Sequence, residues 1–246
     1  MAPGSAANFI DMVRELVDRI EKEEMDKIEK AAEKIADTIS EGGLVHVFGT
    51  GHSHILAEEI FGRAGGFAPV NALLEPSLML HNGIKYSKFE KKEGYGSILC
   101  DYYDVSEGDL MIVVSNSGVN AAPVEMALES VDRGAYLLAI TAMEYTKYLE
   151  PAHSSGDKLY EIANLVIDNK GVPGDAALQV DGMPQKVGPT STVTGALILN
   201  SIFAKTAEVM IERNEEPPVF RSSNLEGADE HNRELFESYS NRVKHF

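Results

Sequence analysis

"VHVFGTGHSHILAEE" (residues 45–59) decides how this chain folds. A short apolar run enters a turn of Gly49, Thr50, Gly51, His52 and Ser53, and a helical pattern with two glutamates leaves it. "LMIVVSNSGVNAAPVE" (110–125) repeats the order: buried strand, turn of Ser115, Asn116, Ser117 and Gly118, then helix. Around these units, strand and helix patterns alternate from 44 to 213. Strands are expected at 44–48, 69–74, 110–115, 136–141 and 164–168. Helices are expected at 53–64, 120–133 and 191–213, with shorter ones near 76–81, 97–103 and 143–149. The strands are short and apolar on both faces, the signature of a parallel sheet covered on both sides. The fold class is therefore α/β. It is a flavodoxin-like three-layer sandwich around a five-stranded parallel sheet, with extra helices from both ends of the chain.

Residues 8–41 read as helix, with Phe9, Val13, Leu16, Val17 and Ile20 on a stripe that Ile28, Ala31, Ala32, Ile35 and Ile39 continue. The stripe is long enough to cover a partner subunit as well as the core. The run "EKEEMDK" (21–27) reads as a solvated charge face that breaks or bends the helix, and Gly42-Gly43 ends it. Residues 83–97 and 170–189 read as long loops, a length that in compact domains is usually functional or mobile. "DEHNRELFESYSNRVKHF" (229–246) begins a final helix near Asp229. One structural domain results: helices at 1–43 on the core or a partner, a central unit at 44–213, and an extension at 214–246.

The 22 basic and 39 acidic side chains leave a net charge of −17. That balance argues against nucleic acid or an anionic membrane as partner. A single cysteine, Cys100, excludes an intrachain disulfide and a cysteine-rich metal site. With no run of about 18 apolar residues and no signal-peptide core, a soluble cytoplasmic chain is expected. No cofactor or metal is expected.

In an open parallel sheet, ligands bind beyond the carboxyl ends of the strands, where the strand order reverses. For the order 2-1-3-4-5 that point lies between the first and third strands, which end in the two unusual turns. Glycines let the backbone approach an anion, helix N-termini aim N–H groups at it, and hydroxyls add neutral donors, so no lysine is needed. Asn120 opens the second helix. "GPTSTVTGALI" (188–198) offers a third helix start through Thr190, Ser191 and Thr192. Plain capping, worth about 1 kcal/mol each, explains Ser53 or Ser117 alone but not three such segments. A dinucleotide site is disfavoured, because the third glycine of GxGxxG is missing and only Glu75 stands near the place of a ribose-binding acid.

"FGTGHSH", "AEEIFGR", "VVSNSGVN" and "GPTSTVTGALILNSI" resemble the SIS (sugar isomerase) domain of phosphosugar isomerases and binding proteins, over roughly 44–213. The whole chain, with "PVFRSSNLEGADEHN" (218–232), is similar to bacterial proteins built of a single SIS domain, and in layout to sedoheptulose-7-phosphate isomerase and N-acetylmuramic acid 6-phosphate etherase. The resemblance implies a small sugar phosphate held by Ser53, Ser115, Ser117 and the Thr190–Thr192 segment. It also implies a homodimer or homotetramer with sites near subunit boundaries. The expected chemistry is isomerase or lyase, in which a base removes a proton beside a carbonyl. The alternative is a non-catalytic phosphosugar-binding or regulatory module. "AEEIFGR" (57–63) is similar to a heptose-isomerase segment whose second glutamate is catalytic, which puts the base on Glu59. A surface pair of Glu59 with Arg63 at i,i+4 competes with that reading. Glu75, His81 and His231 are the further acid–base candidates. His52 and His54 flank Ser53, but an isolated His-x-His falls short of the four ligands of a structural zinc site.

Overall fold

The computed structural model describes residues 5–246, and it begins with an unbroken helix, α1 (Ser5–Ser40). β1 (Val45–Gly49), α2 (His54–Ile60) and β2 (Val70–Leu73) follow, then 3-10 turns at Pro76–Leu78 and Leu80–Asn82. Next come α3 (Lys85–Phe89), α4 (Tyr95–Tyr102), β3 (Leu110–Val114), α5 (Ala121–Asp132), β4 (Tyr136–Thr141), α6 (Met143–Tyr148), α7 (Leu159–Ile162) and β5 (Leu165–Asp168). The short strands β6 (Ala176–Leu178) and β7 (Val187–Pro189) precede the long α8 (Ser191–Glu212) and α9 (Ala228–Tyr239).

The five main strands form one parallel sheet in the order β2-β1-β3-β4-β5, with Val45 opposite both Val70 and Leu110. Alternation along each strand sends side chains to two separate cores. Val45, Val47, Ile112, Val114, Leu138 and Ile140 pack against α1, α2 and α8. Phe48, Met111, Val113, Leu137 and Ala139 pack against α4 and α5. Each fully buried aliphatic side chain contributes roughly 1.5–3 kcal/mol, so both layers are held mainly by apolar burial. Gly195 lets α8 lie close on α2, since a Cβ there would stand 2.4 Å from Leu56 Cδ1.

Two expectations need correction. The acidic run at 21–27 does not break α1, because it is not wholly solvated. Glu24 is 3% exposed and accepts hydrogen bonds from Lys170 Nζ at 2.5 Å and Lys27 Nζ at 2.8 Å. Lys170 Nζ also lies 3.0 Å from Glu23 and 3.3 Å from Asp168, so Glu23 and Glu24 dock the end of the sheet while the rest of the run faces water. Second, the long connections carry structure of their own: α3 and the start of α4 in the first, the antiparallel β6–β7 pair in the second. α8 is on average apolar and long enough to cross a bilayer, but it holds no unbroken apolar run, and half of that stretch is buried in this fold. The stripe on α1 is spent largely at home: Leu16, Ile20, Ile28, Ile35 and Ile39 are buried within the chain.

The segment 242–246 closes the other end of the sheet. Asp109, 2% exposed, accepts from the Leu44 N–H (2.8 Å), His46 Nε2 (3.1 Å) and Arg242 (2.9 Å). Asn71 donates to His46 Nδ1 at 3.3 Å, which assigns the ring proton to Nε2. Burial alone would raise the Asp109 carboxyl, but the hydrogen bonds from His46 and Leu44 and the Arg242 charge hold it well below the carboxylate range. Val243 is buried, and Phe246 stacks on Phe61 and meets Phe220 and Phe236 edge-on.

Candidate functional site

The turn after β1 is tight because Gly49 has no side chain: a Cβ would stand 2.6 Å from the Ser53 carbonyl group. The Gly51 N–H donates to the Leu78 carbonyl at 2.9 Å, tying the turn to the first 3-10 segment. His54 locks it from the helix side. Its Nδ1 donates to the Gly51 carbonyl at 2.8 Å and its Nε2 meets Glu58 Oε1 at 2.7 Å, so both ring nitrogens are engaged by the protein. Ser53 stands at the N-cap of α2 but makes no capping bond. In the second turn, Ser115 Oγ accepts from the Gly118 N–H at 3.1 Å, and the N-cap of α5 is Asn120 rather than Ser117. Simple capping therefore does not account for Ser53 or Ser117.

A cavity of about 230 Å³ opens where these turns meet, at the carboxyl ends of β1 and β3. Thr50, Gly51, His52, Ser53, Ser115, Asn116, Ser117, Asn120 and Ser191 line it, as the sequence suggests. Gly49, Gly118, Thr190 and Thr192 belong to the same three segments but do not line it. Among the described residues, no lysine or arginine lines the wall.

Two carboxylates in the cavity escaped the sequence reading. Glu90, just after α3, accepts from Thr50 Oγ1 at 2.8 Å and from Asn120 Nδ2 at 3.0 Å, which joins the first turn to the start of α5. Burial raises its carboxyl above its ordinary value, against the lowering effect of the Thr50 hydrogen bond and the Lys91 charge. Asp175 reaches in from the connection before α8. It accepts from the N–H groups of Thr190 (3.0 Å) and Ser191 (2.9 Å) and from Ser191 Oγ (2.6 Å). The only sequence signal for either residue was the length of its connection.

The acid–base candidates from sequence lie elsewhere. Glu59, on α2, is ion-paired with Arg63 and accepts from Asn200 Nδ2 at 3.3 Å, outside the cavity wall. Glu75 accepts from the Ser77 N–H (3.0 Å) and Oγ (2.6 Å) and caps a 3-10 turn. His81 is exposed on the next turn. His231, on α9, donates from Nε2 to the Val219 carbonyl at 2.8 Å and fastens the extension. A larger cavity of about 650 Å³ sits at the opposite, amino-terminal end of the strands, beside Gly43 and Asp109. Its Asp109 and Arg242 neutralise each other, and the topology rule places ligands at the other end.

Residues 8–142 match the SIS domain. A UPF0309 protein of Listeria innocua is 43% identical over 237 residues, 96% of each chain. A UPF0309 protein of Thermoanaerobacter pseudethanolicus is 46% identical over 242 residues, covering 96% of this chain and 98% of that one. Among solved structures, phosphoheptose isomerase from Francisella tularensis superposes with a TM-score of 0.57 at 14% identity, over 82% of this chain and 96% of that one. The phosphoheptose isomerase of Neisseria gonorrhoeae gives 0.55 at 16%, over 82% and 97%. At such identities the likeness is one of fold.

Proposed function

Because this chain belongs to the SIS domain family, we propose that its cavity binds a sugar phosphate and that Glu90 moves a proton beside the sugar's carbonyl. The observation that carries the reading is the meeting, in one cavity, of two hydroxyl-rich turns and a partly buried carboxylate with a raised pKa. The turns suit a phosphate: Ser53, Ser115 and Ser117 supply neutral donors, and α2 and α5 begin beside them. Glu90 suits a general base better than Glu59. Burial brings its pKa toward the working range, and the bonds from Thr50 and Asn120 fix its orientation. Glu59 is already engaged by Arg63 and Asn200. In the proposed step Glu90 takes the proton from the carbon next to the carbonyl, an enediol forms, and the proton returns to the neighbouring carbon. His52, on the same wall, is the group placed to exchange a proton with the carbonyl oxygen.

The test has two parts. Calorimetry with a panel of sugar phosphates should show binding that Ser53→Ala with Ser117→Ala weakens by tenfold or more while the melting curve barely moves, since neither serine caps a helix. Unchanged affinity in that double variant rejects the cavity as the phosphate site. Exchange of the substrate's carbon-bound proton in D2O should fall by at least about a hundredfold in Glu90→Gln, with binding retained. Full exchange activity in that variant places the base elsewhere. Binding without any exchange in the unmodified chain favours a non-catalytic module.

A further inference from the structure

We propose that Asp175 is an intrachain competitor for the ligand's anion, and that the β6–β7 hairpin carrying it is released when phosphate enters. The proposal rests on the phosphosugar reading of the cavity and adds its regulation. The third anion-binding segment of the sequence, at the start of α8, is filled by the protein's own charge. Both Asp175 oxygens are spent there, one on the Thr190 and Ser191 N–H groups and the other on Ser191 Oγ. Asp175 and Ser191 share the cavity wall with Ser53 and Ser117. A phosphate seated there meets a carboxylate of like sign, and one helix terminus does not serve two anions.

The same helix start contains an unfilled demand. Thr190, at the N-cap, is 0% exposed, and its hydroxyl is buried without a hydrogen-bond partner among the described residues. A buried hydroxyl with no partner is costly, and a threonine at this position ordinarily caps its own helix. An arriving phosphate offers acceptor oxygens for the amides that Asp175 gives up and for this hydroxyl. The latch itself is weakly built. Asp175 has φ +66°, a left-handed conformation uncommon for residues other than glycine, though aspartate enters it more readily than most. It leads into a pair of three-residue strands joined at Ala176–Pro189 and Leu178–Val187, and a two-stranded hairpin is marginal by itself. A simple surrogate cap would need none of this placement in the cavity.

The competitor and the surrogate cap predict different results for Asp175→Asn. Asparagine keeps an oxygen for the two N–H groups but removes the charge. Calorimetry with inorganic phosphate on the full chain should show binding at least about tenfold tighter than in the unmodified protein. Hydrogen exchange of the unmodified protein should speed up in 176–178 and 187–189 when phosphate is added. Equal or weaker phosphate binding by Asp175→Asn, or exchange that stays unchanged or slows, overturns the competitor. If Asp175→Asn does not fold, the exchange experiment on the unmodified chain decides alone. The Ser53→Ala, Ser117→Ala variant separates the two levels. Phosphate binding that depends on those serines but ignores Asp175 rejects the competitor only. Binding that ignores the serines, or no phosphate binding at all, rejects the site and the competitor together.

Discussion

Glu90 gathers its properties from three places in the chain: the turn after β1, the start of α5 and the connection that carries it. Its raised pKa has a definite sign in any rate that uses it as a base. Protonated Glu90 is idle, so activity falls as pH drops through the raised value. The Thr50 hydroxyl bonds the charged form and lowers the pKa, so Thr50→Val, similar in shape, lets it climb further. The acid limb of the pH–rate profile should then move to higher pH, while the rate on the alkaline side of that limb changes little. A limb that stays put or moves to lower pH would remove Glu90 from the rate law. Serines in turns were legible in the sequence because a strand, a glycine and a helix bracket them. Glu90 and Asp175 were not, since each is one acid among 39 and only the fold brings it to the cavity. Glu59 drew attention through a neighbourhood in sequence, but its partners in space are Arg63 and Asn200.

At the scale of elements, two glycines make contrasting demands. A methyl group at Gly49 meets backbone, the Ser53 carbonyl group at 2.6 Å and the His54 nitrogen at 2.9 Å, which cannot turn aside. A methyl group at Gly195 meets the end of the Leu56 side chain, and alanine in a helix interior regains up to about 1 kcal/mol over glycine. Gly49→Ala should therefore cost on the order of 2 kcal/mol in urea unfolding and also impair phosphate binding, because the turn must open. Gly195→Ala should cost less and leave binding near normal. An equal loss in both variants would mean that Leu56 is as immovable as backbone. The five strands were legible because burial on both faces leaves an almost continuous apolar run, a pattern independent of partners far away. The continuity of α1 was not. It depends on Lys170, which meets Glu24 across 146 residues of sequence, and no local period announces such a pair.

The whole molecule is held at the amino-terminal edge of its sheet by Asp109, His46 and Arg242. The folded-state pKa of Asp109 is depressed, so the stability it contributes is present above its ordinary value of 3.8 and is lost as pH falls below that toward the folded value. Arg242→Ala removes one source of the depression and leaves a buried carboxylate with fewer partners. The cost should be on the order of 2 kcal/mol, below the full penalty for breaking a buried pair because the guanidinium is a third exposed. Acid unfolding followed by circular dichroism should shift to higher pH in this variant; an unshifted transition would show that His46 and Leu44 suffice. The same clasp has a consequence for how the protein is born. Ribosomes deliver Asp109 well before its clasp, since Arg242 lies 133 residues further along the chain. A nascent chain paused short of residue 242 holds every strand of the sheet, and its Asp109 keeps His46 and the Leu44 N–H but lacks the Arg242 charge. Resistance to proteases should therefore reach its final level only when 242–246 emerge and Arg242 meets Asp109.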